Sequence, residues 1–487
     1  MEDTAAINVN ANSYAVIAFL LYLVMIVLIG MWSARYSSKG LTEFFLGGRK
    51  MNKFVVALSA VVSGRSSWLL LGLTGMAYVR GVSAIWAAVG YVIAEYLMFL
   101  FAAPKLRKAT EDQNDLTLSD YFSSRFNDKT NLLRISSAVI ILVFMSAYIS
   151  AQFVGGGKAL SSSFGMEPNT GVFLTALIVL GYTLMGGFLA VSITDVVQAV
   201  FMIFSLVALP LIVIFDAGGI SNIVAKLNLT DAALLDPLAI SAGALIGFVG
   251  IGLGSPGNPH ILVRYMSIDD PKKLKFSAYV GTFWNIIMAV SAVAIGLFGR
   301  IYFTGIESLP GGDPENLFPM VASEHLHPVL FGIIIASILA AIMSTADSML
   351  LVCASAVIRD IYQKVIAPGK VIKERYLVLY SRVIITVIVL ASLLFGYIAS
   401  DLVFWLVLFA WGGLGAAFGP AIILALFWEK TSKAGVFAGF ITGVLTVIIW
   451  NRVDFLKGFL YELVPGFIFA GLAVIIFSYL KPDAREE

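Results

Sequence analysis

Apolar positions in this chain do not alternate with polar ones. They come in runs of about 20 residues, set apart by short polar loops. A run of that length crosses ~30 Å of hydrocarbon as a helix. Thirteen such spans can be drawn, at 14–31, 54–78, 84–103, 135–153, 171–188, 195–215, 239–262, 278–302, 320–358, 378–399, 402–427, 434–450 and 460–480. The ninth is long for one crossing and starts with polar residues between Ser323 and Pro328, which predicts a short outer helix ahead of its membrane part. Two runs are interrupted. The second contains "SAVVSGRSSW" (59–68), and the seventh "FVGIGLGSPGNPH" (248–260), with four glycines and two prolines. Such residues weaken a helix, and unwound backbone inside a membrane is tolerated only where it lines a cavity or the protein interior.

Composition agrees with an all-α integral membrane protein. Of 487 residues, 59% are hydrophobic and 13% charged, and mean hydropathy is +0.93. The first run is too long for a signal-peptide core and lacks a basic stretch before it. Cys353 is the single cysteine, which excludes a disulfide framework and a Cys-based metal site. A net charge of +2 argues against a nucleic-acid surface. With the N-terminus outside, the inner loops collect 25 of the 32 Lys and Arg. The outer side holds six: Arg80, Lys158, Lys226, Arg300, Arg452 and Lys457. That asymmetry predicts a multi-pass protein of the cell membrane, N-terminus outside and C-terminus cytoplasmic.

Four ionisable residues remain inside the spans or at their mouths: Arg65, Glu95, Asp195 and Asp347. Each costs roughly 2.5–3.5 kcal/mol at a helix centre, so each should face the interior and find a partner. Arg65 and Glu95 lie on consecutive spans and form a candidate charge pair. Asp195, in "SITDVVQ", reads either as a functional acid or as part of a helix start capped by Thr194 or Asp195 itself. Asp347 has particular company: Ala341, Ser344, Thr345 and Ser348 follow i, i+3, i+4, i+7 spacing and share one helical face. Small Ser/Ala faces serve helix contacts, but paired hydroxyls beside a carboxylate also suit a hard cation that takes oxygen ligands.

The interrupted spans two and seven stand five helices apart. Two broken spans in corresponding positions are a pointer to a transporter binding site. They predict two five-helix inverted repeats, at 54–215 and 239–427, with an extra helix before them and two after, at 434–480. The whole is expected to be a single transporter domain.

The stretches "FFLGGRKMN" (44–52), "TLSDYFSSRF" (117–126), "GGFLAVSITDVVQ" (186–198), "GNPHILVRYM" (257–266) and "MSTADS" (343–348) resemble the sodium/solute symporter family, and within it the sodium/proline symporters most. The resemblance implies a LeuT-like fold of 13 helices and sodium-driven uptake, with sodium as the coupling ion and no other metal or cofactor. It implies a sodium ion held by the carbonyls of Val62, Arg65 and Ala341 and the hydroxyls of Ser344 and Thr345. Asp195, Asp347 and Ser348 fall where a second cation would sit. The implied solute site takes Ser66 and Ser67 of span two, Tyr148 and Gln152 of span four, and Ile251, Ser255 and Pro259 of span seven. Tyr148 can equally be core packing. Three positions depart from the proline symporters: Gly64 replaces an aspartate, and Ile251 and Ser255 replace a Trp and a Tyr, while Pro259 is kept.

Arg65 admits three readings. Its carbonyl binds sodium while its side chain pairs with Glu95; or its guanidinium clamps a substrate carboxylate; or it replaces the cation, leaving a sodium-independent or proton-coupled transporter of an organic acid. Set against Glu95, Asp195 and Asp347, one arginine leaves two negative charges, which favours a bound cation. The expected function is sodium-coupled import of a small solute, proline or another amino acid. The expected partners are that solute, Na⁺ and the lipid bilayer, without nucleic acid or an obligate protein. Other classes fit less well. "HLH" (325–327) lacks a third metal ligand, and no phosphate loop or HExxH motif marks an enzyme. A membrane sensor would need a cytoplasmic output domain, and the chain ends at "YLKPDAREE". A channel fits the broken helices but not the resemblance.

Overall fold

A computed structural model describes residues 12–37, 40–398 and 402–483. Lys39 and Arg485, counted among the inner basic residues, and residue 399 at the end of span ten lie outside the described residues. Among the described residues, ten helical stretches have the length and hydropathy to cross a membrane. The expected thirteen exceed this number for identifiable reasons. Spans five and six form one stretch, Pro168–Asp216, kinked at Gly187. The outer half of span two continues into span three within Trp68–Asp112, and span seven consists of shorter pieces.

Local chemistry sets the boundaries. Span two starts at Lys53–Ser63, where the Asn52 side chain accepts from the Phe54 N–H at 2.9 Å. Span seven starts at Ala242–Gly250, capped by Ser241 on the Ala244 N–H at 3.2 Å. It narrows to a 3₁₀ turn over Ile251–Gly257 and restarts at Pro259–Ser267. Proline at the first position of a helix loses no hydrogen bond. Gly187 adopts φ 58°, ψ −168°, a conformation open in practice to glycine alone, which lets spans five and six part company there. Span nine is preceded, as its polar start predicts, by a separate helix, Leu317–His325.

Three elements form the centre. Span nine is buried from Ile334 through Ser355, the middle of span eleven from Ala410 through Ile422, and span two from Val56 through Gly75. Around them, spans one, ten, twelve and thirteen present exposed Leu, Ile, Val and Phe, as lipid-facing helices do. The broken part of span two therefore lies at the centre of the bundle, against span nine.

Candidate functional site

The site is built by the break in span two. At Gly64 and Arg65 the backbone tightens: their N–H groups reach the carbonyls of Val61 and Val62, three residues back, at 3.1 and 3.0 Å. Ser66 follows at φ 52°, a left-handed conformation rare for a residue with a side chain. Two backbone groups leave the helical ladder. The Ser67 N–H donates to Gln152 Oε1 of span four at 3.0 Å, and the Ser67 hydroxyl donates to the same oxygen at 2.9 Å. The Ser63 carbonyl, which would otherwise serve Ser67, accepts the Thr345 hydroxyl of span nine at 3.0 Å. One local unwinding is thus satisfied by two neighbouring spans, as buried backbone groups must be.

Of the expected sodium ligands, Ser344 and Thr345 face inward, as their spacing predicts. The Ser344 hydroxyl donates to the Ala341 carbonyl at 3.0 Å. The carbonyls of Val62 and Arg65 each accept one N–H, from Arg65 and Leu69, and keep a second lone pair. The carbonyl that directly meets span nine is that of Ser63, a residue absent from the expected set. The oxygens of spans two and nine therefore meet directly at Ser63 and Thr345, next in sequence to Val62 and Ser344. They suit a small hard cation, which is cargo here and not a resident cofactor.

The expected solute residues gather next to this place. Ser66 Oγ lies 3.4 Å from the Tyr148 hydroxyl. Ser67 and Gln152 are bonded as described, and Ser255 and Pro259 are buried at the break of span seven. Ile251 contributes through its backbone: its carbonyl accepts Trp411 Nε1 of span eleven at 2.8 Å. The Trp411 ring lies on Gly254, where a Cβ would come within 1.9–2.5 Å of it. Trp411 of span eleven therefore packs against the break of span seven, near positions 251 and 255. Sequence reasoning missed this because Trp411 is far away in the chain. His260, also not anticipated, sets its ring edge-on to Tyr148 with centroids 6.1 Å apart. Its ring nitrogens, Ser255 Oγ, Asn258 Oδ1 and Gln152 Nε2 are buried without a hydrogen-bond partner.

Arg65 turns away from this pocket. Its guanidinium pairs with Glu95, donates from Nε to Asn285 Oδ1 at 2.9 Å and stacks 3.7 Å from the Tyr91 ring centroid. Asn285 in turn donates to the other Glu95 oxygen at 2.7 Å. Its Nε and Nη2 donors are thus given to spans eight and three, and the pairing with Glu95 is the side-chain geometry of the first reading of this residue.

Two expectations need correction. Arg264 was counted with the inner loops, but it is buried in span seven. It reaches Asp195 Oδ2 at 3.2 Å, Ser59 Oγ at 3.1 Å, the His260 carbonyl at 2.7 Å and Ser348 Oγ. The buried surplus is then one negative charge, not two. Asp195 is not a helix cap, because it stands well inside Pro168–Asp216 and accepts from Ser59 Oγ at 2.6 Å and Ser63 Oγ at 3.3 Å. The three residues expected at a second cation site are indeed neighbours, linked through Arg264 and the Asp347–Ser348 contact of 3.1 Å. The signal that was missed was the apolar run "PHILVRYM", which carries Arg264 into the membrane four residues beyond His260.

Broken helices at the centre of the bundle, with their freed backbone groups taken up by neighbouring spans, are the architecture of a membrane transporter. Comparisons with known proteins name the family. The sequence pattern of the sodium:solute symporter family matches residues 44–443. The chain is 38% identical to the sodium/proline symporter of Escherichia coli (strain K12) over 95% of its own length and 92% of that protein. It is 38% identical to the high-affinity proline transporter PutP of Bacillus subtilis (strain 168), over 93% and 95% respectively. A Na⁺-coupled sialic acid symporter, solved substrate-bound and outward-open, superposes with a TM-score of 0.83 at 20% identity, covering 97% of this chain and 99% of that one. The chain belongs to the sodium:solute symporter family. It is a sodium-coupled membrane symporter, not an enzyme.

Proposed function

We propose that the protein imports proline together with sodium by alternating access. One observation carries the reading: the same unwound turn gives its carbonyl to Thr345 and its N–H to Gln152. A cation drawn to Val62, Arg65, Ala341, Ser344 and Thr345 fixes that turn, and the fixed turn presents Ser66 and Ser67 to the solute beside Tyr148, Gln152, Ser255 and Pro259. Each ligand stabilises the conformation the other needs, so their binding is coupled. The relatives named for proline support the choice of solute, and the free polar atoms around His260 and Asn258 suit the two charges of an amino acid. The engagement of Arg65 by Glu95, Asn285 and Tyr91 supports coupling to sodium over replacement of it.

Asp195, Asp347 and Ser348 form a second cation locus in this scheme, with Arg264 already supplying one positive charge. The asymmetry of basic residues supports an N-terminus outside and a cytoplasmic C-terminus, and thirteen crossings follow if each half of the kinked and broken stretches counts separately. Five-helix repeats at 54–215 and 239–427 then place the two breaks in matching positions.

One sodium ion crossing ~100 mV yields about 2.3 kcal/mol, and a roughly tenfold sodium gradient adds about 1.4 kcal/mol. Together they sustain a solute gradient of roughly a few hundredfold. The test is proline uptake into vesicles holding the purified protein. An inward sodium gradient should drive accumulation, and replacing sodium with choline should abolish it. Equal uptake in choline contradicts the coupling.

A further inference from the structure

Of the six cations on the face opposite the basic loops, three line a single cavity. Arg80 at the end of span two, Arg452 at the end of span twelve and Lys457 in the following helix Asp454–Phe459 surround a volume of about 700 Å³. None of the three forms an ion pair among the described residues. Lys158, on the same face, differs: it is neutralised by Asp313 and Glu315 at 2.7 and 2.6 Å. The carboxylate in the cavity wall, Glu462, is buried and takes a hydrogen bond from Asn451 at 3.1 Å. The cavity thus carries a net positive charge that the protein does not balance.

The rest of the wall is largely apolar, with Ser241, Asn451 and Tyr461 as its polar members. Phe248 and Ile251 come from the outer half of span seven and Trp405 from span eleven. Beside the opening, Ile246 and Val249 of span seven and Phe455 and Phe459 of the short helix are exposed, as residues against acyl chains are. A free amino acid offers one charge of each sign and little apolar surface, so it matches this lining poorly. An anion joined to hydrocarbon matches both halves of it.

We propose that this cavity is a binding site for an anionic phospholipid, with the phosphate headgroup held by Arg80, Arg452 and Lys457 and an acyl chain lying over Phe248 and Trp405. Charge attraction at a membrane surface is worth about fivefold in affinity per Lys or Arg. The wall includes the outer half of the broken span seven, so a bound lipid touches an element whose movement alternating access requires.

The test uses the full-length protein in nanodiscs of phosphatidylcholine containing phosphatidylglycerol at increasing fractions, with bound lipid counted by native mass spectrometry. The wild type should retain phosphatidylglycerol in preference to phosphatidylcholine. Arg80→Gln, Arg452→Gln and Lys457→Gln together should lower that preference by roughly a hundredfold, and Lys457→Gln alone by about fivefold. Thermal stabilisation by sodium serves as the folding control, because none of its proposed ligands lines this cavity. Lys457→Arg, which keeps the charge, should behave as the wild type and guards against a triple variant that does not fold. Equal retention of the two lipids, or undiminished preference in the variants, overturns the proposal. Inorganic phosphate or proline displacing phosphatidylglycerol at millimolar concentration would identify a free anion as the occupant and overturn it too.

Discussion

Arg65 and Glu95 are both nearly inaccessible to solvent, with relative exposures of 1% and 2%. Removing one partner of such a pair leaves an uncompensated buried charge, which costs roughly 3–5 kcal/mol, whereas removing both is often close to neutral. Glu95→Gln alone should therefore lower the thermal unfolding temperature clearly, and Arg65→Met with Glu95→Gln should recover most of the loss. A double variant as unstable as the single one contradicts the pairing. The same comparison separates the readings of Arg65. If its side chain only holds the turn in place, the double variant keeps substantial proline affinity at saturating sodium. A collapse of proline affinity with intact sodium binding would instead mark a clamp on the substrate carboxylate. The pair was legible in the sequence, because two opposite charges on adjacent apolar runs have few other partners. Asn285 was not, since an asparagine in span eight acquires its meaning only when the bundle brings it to both of them. Arg264 was misread because it stands near the inner end of its span, where a snorkelling side chain and a buried one look alike in sequence.

Two interrupted spans were visible as clusters of Gly, Ser and Pro, because those residues signal a broken ladder wherever they occur. Where the freed groups go was not visible. The Ser67 N–H finds Gln152, and the Ser63 carbonyl finds Thr345, hundreds of residues away in the second case. Gln152→Ala removes the acceptor of both Ser67 donors and leaves a buried N–H without a partner, at a cost of about 1–3 kcal/mol. Because the turn serves both ligands, the variant should raise the half-saturating concentrations of proline and of sodium together. A change in one alone contradicts coupling through the turn. The sequence was read as two separate spans, five and six, where the structure has one stretch kinked at Gly187, and the cause of the kink was not legible. Gly187→Ala places a Cβ on a backbone that only glycine adopts readily, so it should destabilise by about 1–3 kcal/mol, measured as reduced folded yield and a lower unfolding temperature. A stable, active Gly187→Ala protein would show that the kink is dispensable.

At the scale of the whole molecule, the end that carries the basic loops is tied by charge and the centre by backbone. Asp120, in the short helix Leu118–Arg125, accepts from Arg359 at 3.0 Å and pairs with Arg134, while Asp360 accepts from Thr117 at 2.7 Å. These contacts join spans four and nine on the face of the basic loops, and under the proposed orientation they would have to part for the solute to leave inward. The membrane class, the charge asymmetry and the two breaks follow from hydropathy and a few residue types, whereas coupling to sodium was legible only through the family resemblance of stretches such as "GNPHILVRYM" and "MSTADS". The proposed solute site draws on spans two, four and seven, and the side chains that pack against it, Trp411 on span seven and His260 on Tyr148, reach it only through the fold. The centre of the account is a cation held between spans two and nine. The direct test is the sodium dependence of proline uptake in vesicles for the wild type and for Ser344→Ala with Thr345→Ala. Loss of two oxygen ligands at about 1 kcal/mol or more each should raise the half-saturating sodium concentration by about tenfold or more, with the protein still folded. An unchanged sodium curve would contradict the account and place the ion elsewhere.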